Sequence, residues 1–129
     1  DSFGDAAFTG KGNQTWVQNN CDKYGFIHRY DKSKKSITGV NHEAWHFRQV
    51  GLPHAEYITD NSLCLEEYIE NIKEFTKSSP LSVSTEFSGK YDIWYVKSAG
   101  DKTSINLDGY SKYLISGNNV DGFIVTAVK

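Results

Sequence analysis

At Ser78-Ser79-Pro80 the sequence changes character, and that break constrains the fold more than any other feature. Before it, apolar residues recur at helical spacing. After it, short runs rich in β-branched and aromatic residues are separated by turn residues. Helices that precede a block of strands, without alternating with them, predict an α+β protein and not a parallel α/β one. The expected organisation is a small, mostly antiparallel sheet with helices over residues 1–79. A β-rich C-terminal part over 80–129 is expected to pack on it as a single compact unit. At 129 residues the chain suits one domain, which buries roughly two-thirds of its unfolded surface and needs no metal or disulfide staple.

Asp1 to Gly12 reads as loop. A first helix is expected from Asn13 to Tyr24, with Asn13 as N-cap and Gly25 as the stop, since Trp16, Val17, Cys21 and Tyr24 share a face. Phe26 to Tyr30 reads as a strand, Asp31 to Lys35 as a charged turn, and Ile37 to Val40 as the lead into Asn41–Val50. Pro53 to Thr59 suggests a short helical turn. Ser62 to Phe75 is the strongest helix, with Leu65, Tyr68, Ile69, Ile72 and Phe75 on one stripe. Five strands are expected beyond Pro80: Leu81–Phe87, Tyr91–Lys97, Ser104–Leu107, Tyr113–Ser116 and Gly122–Lys129. Ser88-Gly89 and Asn118-Asn119 supply turn chemistry between them.

Net charge is -2, so no basic field exists to attract nucleic acid or anionic lipid. The longest apolar stretch, Gly122 to Val128, is too short to span a bilayer. Cys21 and Cys64 each fall on the apolar side of an expected helix and read as two buried thiols, with one disulfide as the other possibility. Neither has metal-type spacing.

Chemistry concentrates in His42-Glu43-Ala44-Trp45-His46, an H-E-x-x-H pattern. On a helix, histidines four apart grip one zinc while the intervening glutamate activates its water. Val40, Ala44, Phe47 and Val50 recur at helical spacing, and Glu66 or Glu67 lies at the distance of a third ligand. A self-sufficient zincin using His42, Glu43, His46 and Glu66 is therefore one reading, which a helix over residues 40–50 would favour and a strand would sink. Against it, Gly51-Leu52-Pro53 ends the segment soon after His46. Acidic residues also belong at a helix start for dipole reasons alone.

A longer stretch supports another reading. Tyr24-Gly25-Phe26-Ile27-His28-Arg29-Tyr30, Thr38-Gly39-Val40 and Glu43-Ala44-Trp45-His46-Phe47-Arg48-Gln49-Val50-Gly51-Leu52-Pro53-His54 resemble the VanY-type D-alanyl-D-alanine carboxypeptidases of the lysostaphin/D-Ala-D-Ala metallopeptidase group. The likeness continues through Leu65-Glu66-Glu67-Tyr68 and Ile115-Ser116-Gly117-Asn118-Asn119-Val120-Asp121-Gly122. The family pattern is Glu-x-Trp-His, which implies Glu43 as catalytic base and His46 as one zinc ligand, with His42 incidental. On a strand, His46 and Arg48 would share a face while Trp45 and Phe47 take the other, so Glu43 must sit on a bend leading in. The family's other two ligands come from an upstream Ser-x-His-x-x-Gly-x-Ala-x-Asp motif that these residues lack; Asp1 is the one weak stand-in for its aspartate.

The resemblance implies a zinc enzyme that removes terminal D-alanine from peptidoglycan stem peptides, a reaction that contributes to glycopeptide resistance. A catalytic zinc needs three protein ligands, so these 129 residues alone are expected to hold zinc poorly and to be inactive. Arg48 and Trp45 are candidates for substrate contact, Arg48 through its fork of donors on a carboxylate. Arg29 reads first as a salt-bridge partner, and His28 and His54 as structural histidines. Trp45, taken without the resemblance, reads as core; Tyr110 and Tyr113 read as packing residues. The resemblance also implies the extracytoplasmic side of a bacterial envelope, with the cytoplasm as the other possibility. A non-catalytic cell-wall binding module, carried by the β-rich half, is a further alternative.

Overall fold

The computed structural model describes residues 7–86 and 89–129, so part of the expected Ser88-Gly89 turn falls outside it. The chain forms two compact units, Asp1–Glu66 and Glu67–Lys129. Helices gather in the first half and strands in the second, as an α+β protein requires.

In the first unit the expected single helix is broken into a 3₁₀ turn (Gly12–Gln14), α1 (Thr15–Asn20) and a second 3₁₀ turn (Cys21–Tyr24). Thr15, Val17, Asn19 and Asn20 are weak helix formers, and Asn20 leaves helical geometry at φ -135°. Gly25 ends the segment as expected, at φ +83°. Its lack of a side chain has a second use, because a Cβ there would meet Gly51 Cα at 3.1 Å. Gly25 O accepts from both Val50 N and Gly51 N at 2.9 Å, which ties the start of one strand to the end of the next.

Those strands are β1 (Phe26–Tyr30) and β2 (Glu43–Gln49), an antiparallel pair. Between them the charged turn extends from a 3₁₀ turn (Lys32–Lys34) into α2 (Lys35–Thr38), which takes in the first part of the lead-in from Ile37. Asp31 starts this excursion by accepting from Ser33 N at 2.8 Å and Ser33 Oγ at 2.6 Å. After Pro53 comes α3 (His54–Asp60) and then α4 (Leu65–Ile72), which begins at the end of this unit, belongs mostly to the second and is shorter than the expected Ser62–Phe75. Ser62 sits at φ +53°, outside helical geometry. Past Ile72 the amides of Lys73, Glu74 and Phe75 reach back only three residues, so the helix tightens and stops. Cys21, Ile27, Ala44, Ala55, Ile58 and Cys64 are buried in this unit, and neither cysteine is disulfide-bonded.

The second unit is a four-stranded antiparallel sheet of β3 (Leu81–Thr85), β4 (Gly89–Lys97), β5 (Tyr113–Gly117) and β6 (Gly122–Val128), in the order β3-β4-β6-β5. Its core is Trp94, Val125 and Ala127, covered by Phe75, Val96, Ile105, Leu107 and Tyr110. The expected strand over Ser104–Leu107 does not form. Ile105 and Leu107 deliver their side chains to the core from a loop, so apolar alternation there reports burial without a ladder. Asn118 organises the β5–β6 turn: its Oδ1 accepts from Val120 N, Asp121 N and Gly122 N at 2.9, 2.9 and 3.0 Å.

Candidate active site

The segment 43–49 is a strand, which removes the basis of the zincin reading. His42 and His46 do not share a helical face, and His42 Nδ1 instead donates to Tyr30 O at 3.1 Å. Glu66, the proposed third ligand of that reading, is held by Arg29 through two hydrogen bonds, Nη1 to Oε2 at 3.0 Å and Nη2 to Oε1 at 2.5 Å. The Arg29 hydrogen bonds hold the Glu66 carboxyl below its ordinary pKa, and the guanidinium also lies 4.5 Å over the Tyr30 ring. Arg29 is thus the salt-bridge residue that the sequence suggested, with its fork of donors already occupied.

Glu43 and His46 do come together. Glu43 Oε2 is 2.8 Å from His46 Nδ1, both side chains being partly exposed. Residues three apart on a regular strand point to opposite faces, so the ladder must depart from regularity, and it does. His28 pairs with Phe47 and Tyr30 with Glu43: two residues on β1 match four on β2. That irregularity bends the strand as a bulge does and returns both side chains to one side. The bend that the sequence required near Glu43 lies inside β2 itself.

Tyr30 packs edge-on against His46 with ring centroids 4.8 Å apart. His28 packs against His42 at 5.3 Å and Phe47 at 5.7 Å, and its Nε2 lies 2.8 Å from Glu43 O. Its Nδ1 is 4.0 Å from Asp31 Oδ2. The two hydrogen bonds from Ser33, then the nearby imidazoles of His28 and His42, hold the Asp31 carboxyl below its usual range. Sequence reasoning took His28 for a structural histidine. Its contact with the Glu43 carbonyl depends on strand register, which left no signal in the residue pattern.

Trp45 is 61 % exposed, against the reading of it as core. Both it and Arg48, which is exposed opposite Ile27 in the ladder, are therefore accessible from solvent. His54 is 7 % exposed, and burial holds its imidazole down at about 4, so it is neutral at ordinary pH. Tyr110 donates to Asp92 Oδ2 at 2.7 Å and packs on Trp94 at 5.4 Å, whereas Tyr113 on β5 is half exposed. A pocket of about 270 Å³ is lined by Gln18, Cys21, His28, Arg29 and Cys64 among others, but by neither Glu43 nor His46.

Among the described residues no three His, Cys, Asp or Glu side chains converge as a metal ligand set, and Asp1 lies outside the described residues. These residues therefore do not by themselves fit a catalytic zinc. Among them, too, no helix is long and apolar enough to cross a membrane.

Residues 4–52 match the family described as VanY, D-alanyl-D-alanine carboxypeptidase. A D-alanyl-D-alanine carboxypeptidase of Enterococcus faecium is 43% identical over 111 residues, covering 86% of this chain and 35% of that protein. The putative carboxypeptidase YodJ of Bacillus subtilis (strain 168) is 50% identical over 68 residues, covering 53% of this chain and 25% of that protein. The crystal structure of the vancomycin resistance D,D-dipeptidase VanXYg, in complex with a D-Ala-D-Ala phosphinate analog, superposes with a TM-score of 0.87 at 38% identity. That match covers 95% of this chain and 49% of the other. The chain thus spans between a quarter and a half of the length of these relatives.

Proposed function

We propose that the chain, which resembles the VanY-type carboxypeptidases, carries the base and one metal ligand of a zinc-dependent D,D-carboxypeptidase. The reaction is removal of the terminal D-alanine from peptidoglycan stem peptides, on the extracytoplasmic side of a bacterial envelope, in the manner of glycopeptide-resistance enzymes. One observation carries the reading: Glu43 and His46, the two chemical positions of the family's Glu-x-Trp-His pattern, face each other at 2.8 Å across an irregular step in β2.

Glu43 takes the proton from the water that attacks the scissile carbonyl and passes it to the departing D-alanine amine. Its partial exposure lets water reach the carboxylate while the Nδ1–H of His46 holds it in place. Trp45 and Arg48 contact the substrate, the guanidinium meeting the terminal carboxylate. His46 is the zinc donor that the family pattern assigns to these residues. One histidine does not retain the ion tightly, so the 129 residues alone are proposed to bind zinc weakly and to be inactive.

The test is product analysis with zinc present, using the protein that carries this sequence and an acyl peptide ending in D-Ala-D-Ala. Release of one free D-alanine per peptide supports the proposal. Failure to release D-alanine from that peptide while free D-Ala-D-Ala is split would replace it with a dipeptidase.

A further inference from the structure

The irregular step between β1 and β2 brings Glu43 to His46, and something must hold that step in place. Ladder pairing is regular from Phe26↔Gln49 to His28↔Phe47, then shifts before Tyr30↔Glu43. At the shift, two main-chain carbonyls meet imidazoles: Glu43 O lies 2.8 Å from His28 Nε2, and Tyr30 O lies 3.1 Å from His42 Nδ1. A carbonyl oxygen only accepts, so the facing nitrogen in each pair carries a proton.

The two imidazoles are not equivalent. His42 is exposed, and its bond competes with water. The His28 side chain is only 16% exposed and is packed by Phe47 and His42. Asp31 stands 4.0 Å from its other nitrogen. We infer that His28 is a positioning residue for the catalytic pair: by donating to the Glu43 carbonyl it fixes the strand irregularity that turns the Glu43 carboxylate onto His46. Its functional meaning rests on Glu43 being the base, but the geometric claim does not, and the two fail separately.

The experiment uses the 129-residue chain, isotopically labelled, at a pH well above the ordinary imidazole value of about 6.5. The reading is which ring nitrogen of His46 holds the proton, taken from imidazole nitrogen resonances. In the unmodified chain Nδ1 holds it, because Glu43 accepts from that nitrogen. H28F keeps the aromatic packing but removes the donor, and the ratio of Nδ1–H to Nε2–H in His46 is expected to fall about fivefold, as loss of one ordinary hydrogen bond implies. H28Q restores a donor of similar reach and should recover most of the ratio. Both variants should unfold cooperatively on heating, which separates a shifted site from an unfolded one. An unchanged His46 tautomer in folded H28F would overturn the inference, and so would an H28Q chain that behaves like H28F. If H28F shifts the tautomer yet removing the Glu43 carboxylate from the zinc-loaded protein that carries this sequence leaves its D-alanine release intact, the positioning claim stands and the assignment of the base fails.

Discussion

Lowering the pH from 7 to 4 acts on the first unit through His54, the opening residue of α3, with an effect that follows from its burial. In the folded chain burial holds this imidazole at about 4, against 6.5 for the free side chain. The unfolded chain therefore takes up a proton near pH 6.5 that the folded chain refuses until near pH 4. A depressed histidine of this kind leaves stability intact above about 6.5 and removes it as the pH falls toward 4. At about 1.4 kcal/mol per pH unit between the two values, the loss is roughly 2 kcal/mol at pH 5 and about 3 at pH 4. For a protein of this size, about 2 kcal/mol corresponds to a fall of roughly 1 M in the urea midpoint.

The assay is urea unfolding followed by circular dichroism from pH 7 to pH 4, in the unmodified chain and in H54L. The substitution shifts the baseline at every pH, so the measured quantity is the pH slope. Carboxylates such as Asp31 and Glu66, whose values are lowered in the fold, lose their contribution mainly below pH 5 and do so in both chains. Between pH 7 and 5 the unmodified chain should lose about 2 kcal/mol that H54L does not. Equal slopes in that window would refute the assignment of the loss to His54.

Two other perturbations probe the separate units. R29M removes the cation that holds Glu66, and because Glu66 is 38% exposed water takes over part of the role; the expected cost is about 1 kcal/mol, with the Glu66 carboxyl returning toward its ordinary value in a carboxyl-carbon titration. G122A tests the turn into β6, where a Cβ would run into Val96 O and approach the Tyr95 ring at 2.6 Å; roughly 1–3 kcal/mol should be lost, read as the urea midpoint followed by circular dichroism.

Several elements were legible from local chemistry. Phe26–Tyr30 is a strand with the expected bounds, Gly25 ends the turn before it, and the β-branched runs around Trp94 and Val125 are strands as expected. Each of these depends on residues close in the chain. The H-E-x-x-H segment was ambiguous for a physical reason: Val40, Ala44, Phe47 and Val50 satisfy helical spacing, while pairing with β1 makes the segment a strand. Long-range pairing overrode a local period there. The resemblance supplied Glu43 and His46 as a pair. How residues of opposite strand parity could meet was settled only by the register shift opposite His28 and Tyr30. The same limit explains Ser104–Leu107, which has the composition of a strand and partly buries Ile105 and Leu107 against the core but has no partner in the ladder. It explains Trp45 as well, whose apolar neighbour Ala44 is buried while the indole itself faces outward.

The central claim is that Glu43 is the proton-transferring carboxylate of a D,D-carboxypeptidase. It is tested most directly by the rate of D-alanine release from an acyl-D-Ala-D-Ala peptide in the zinc-loaded protein carrying this sequence, compared with its E43Q variant. The amide keeps the shape of the side chain and an oxygen for His46 Nδ1–H, so peptide affinity should hold while turnover falls by about 10²-fold or more. An E43Q protein that releases D-alanine at the unmodified rate would contradict the account.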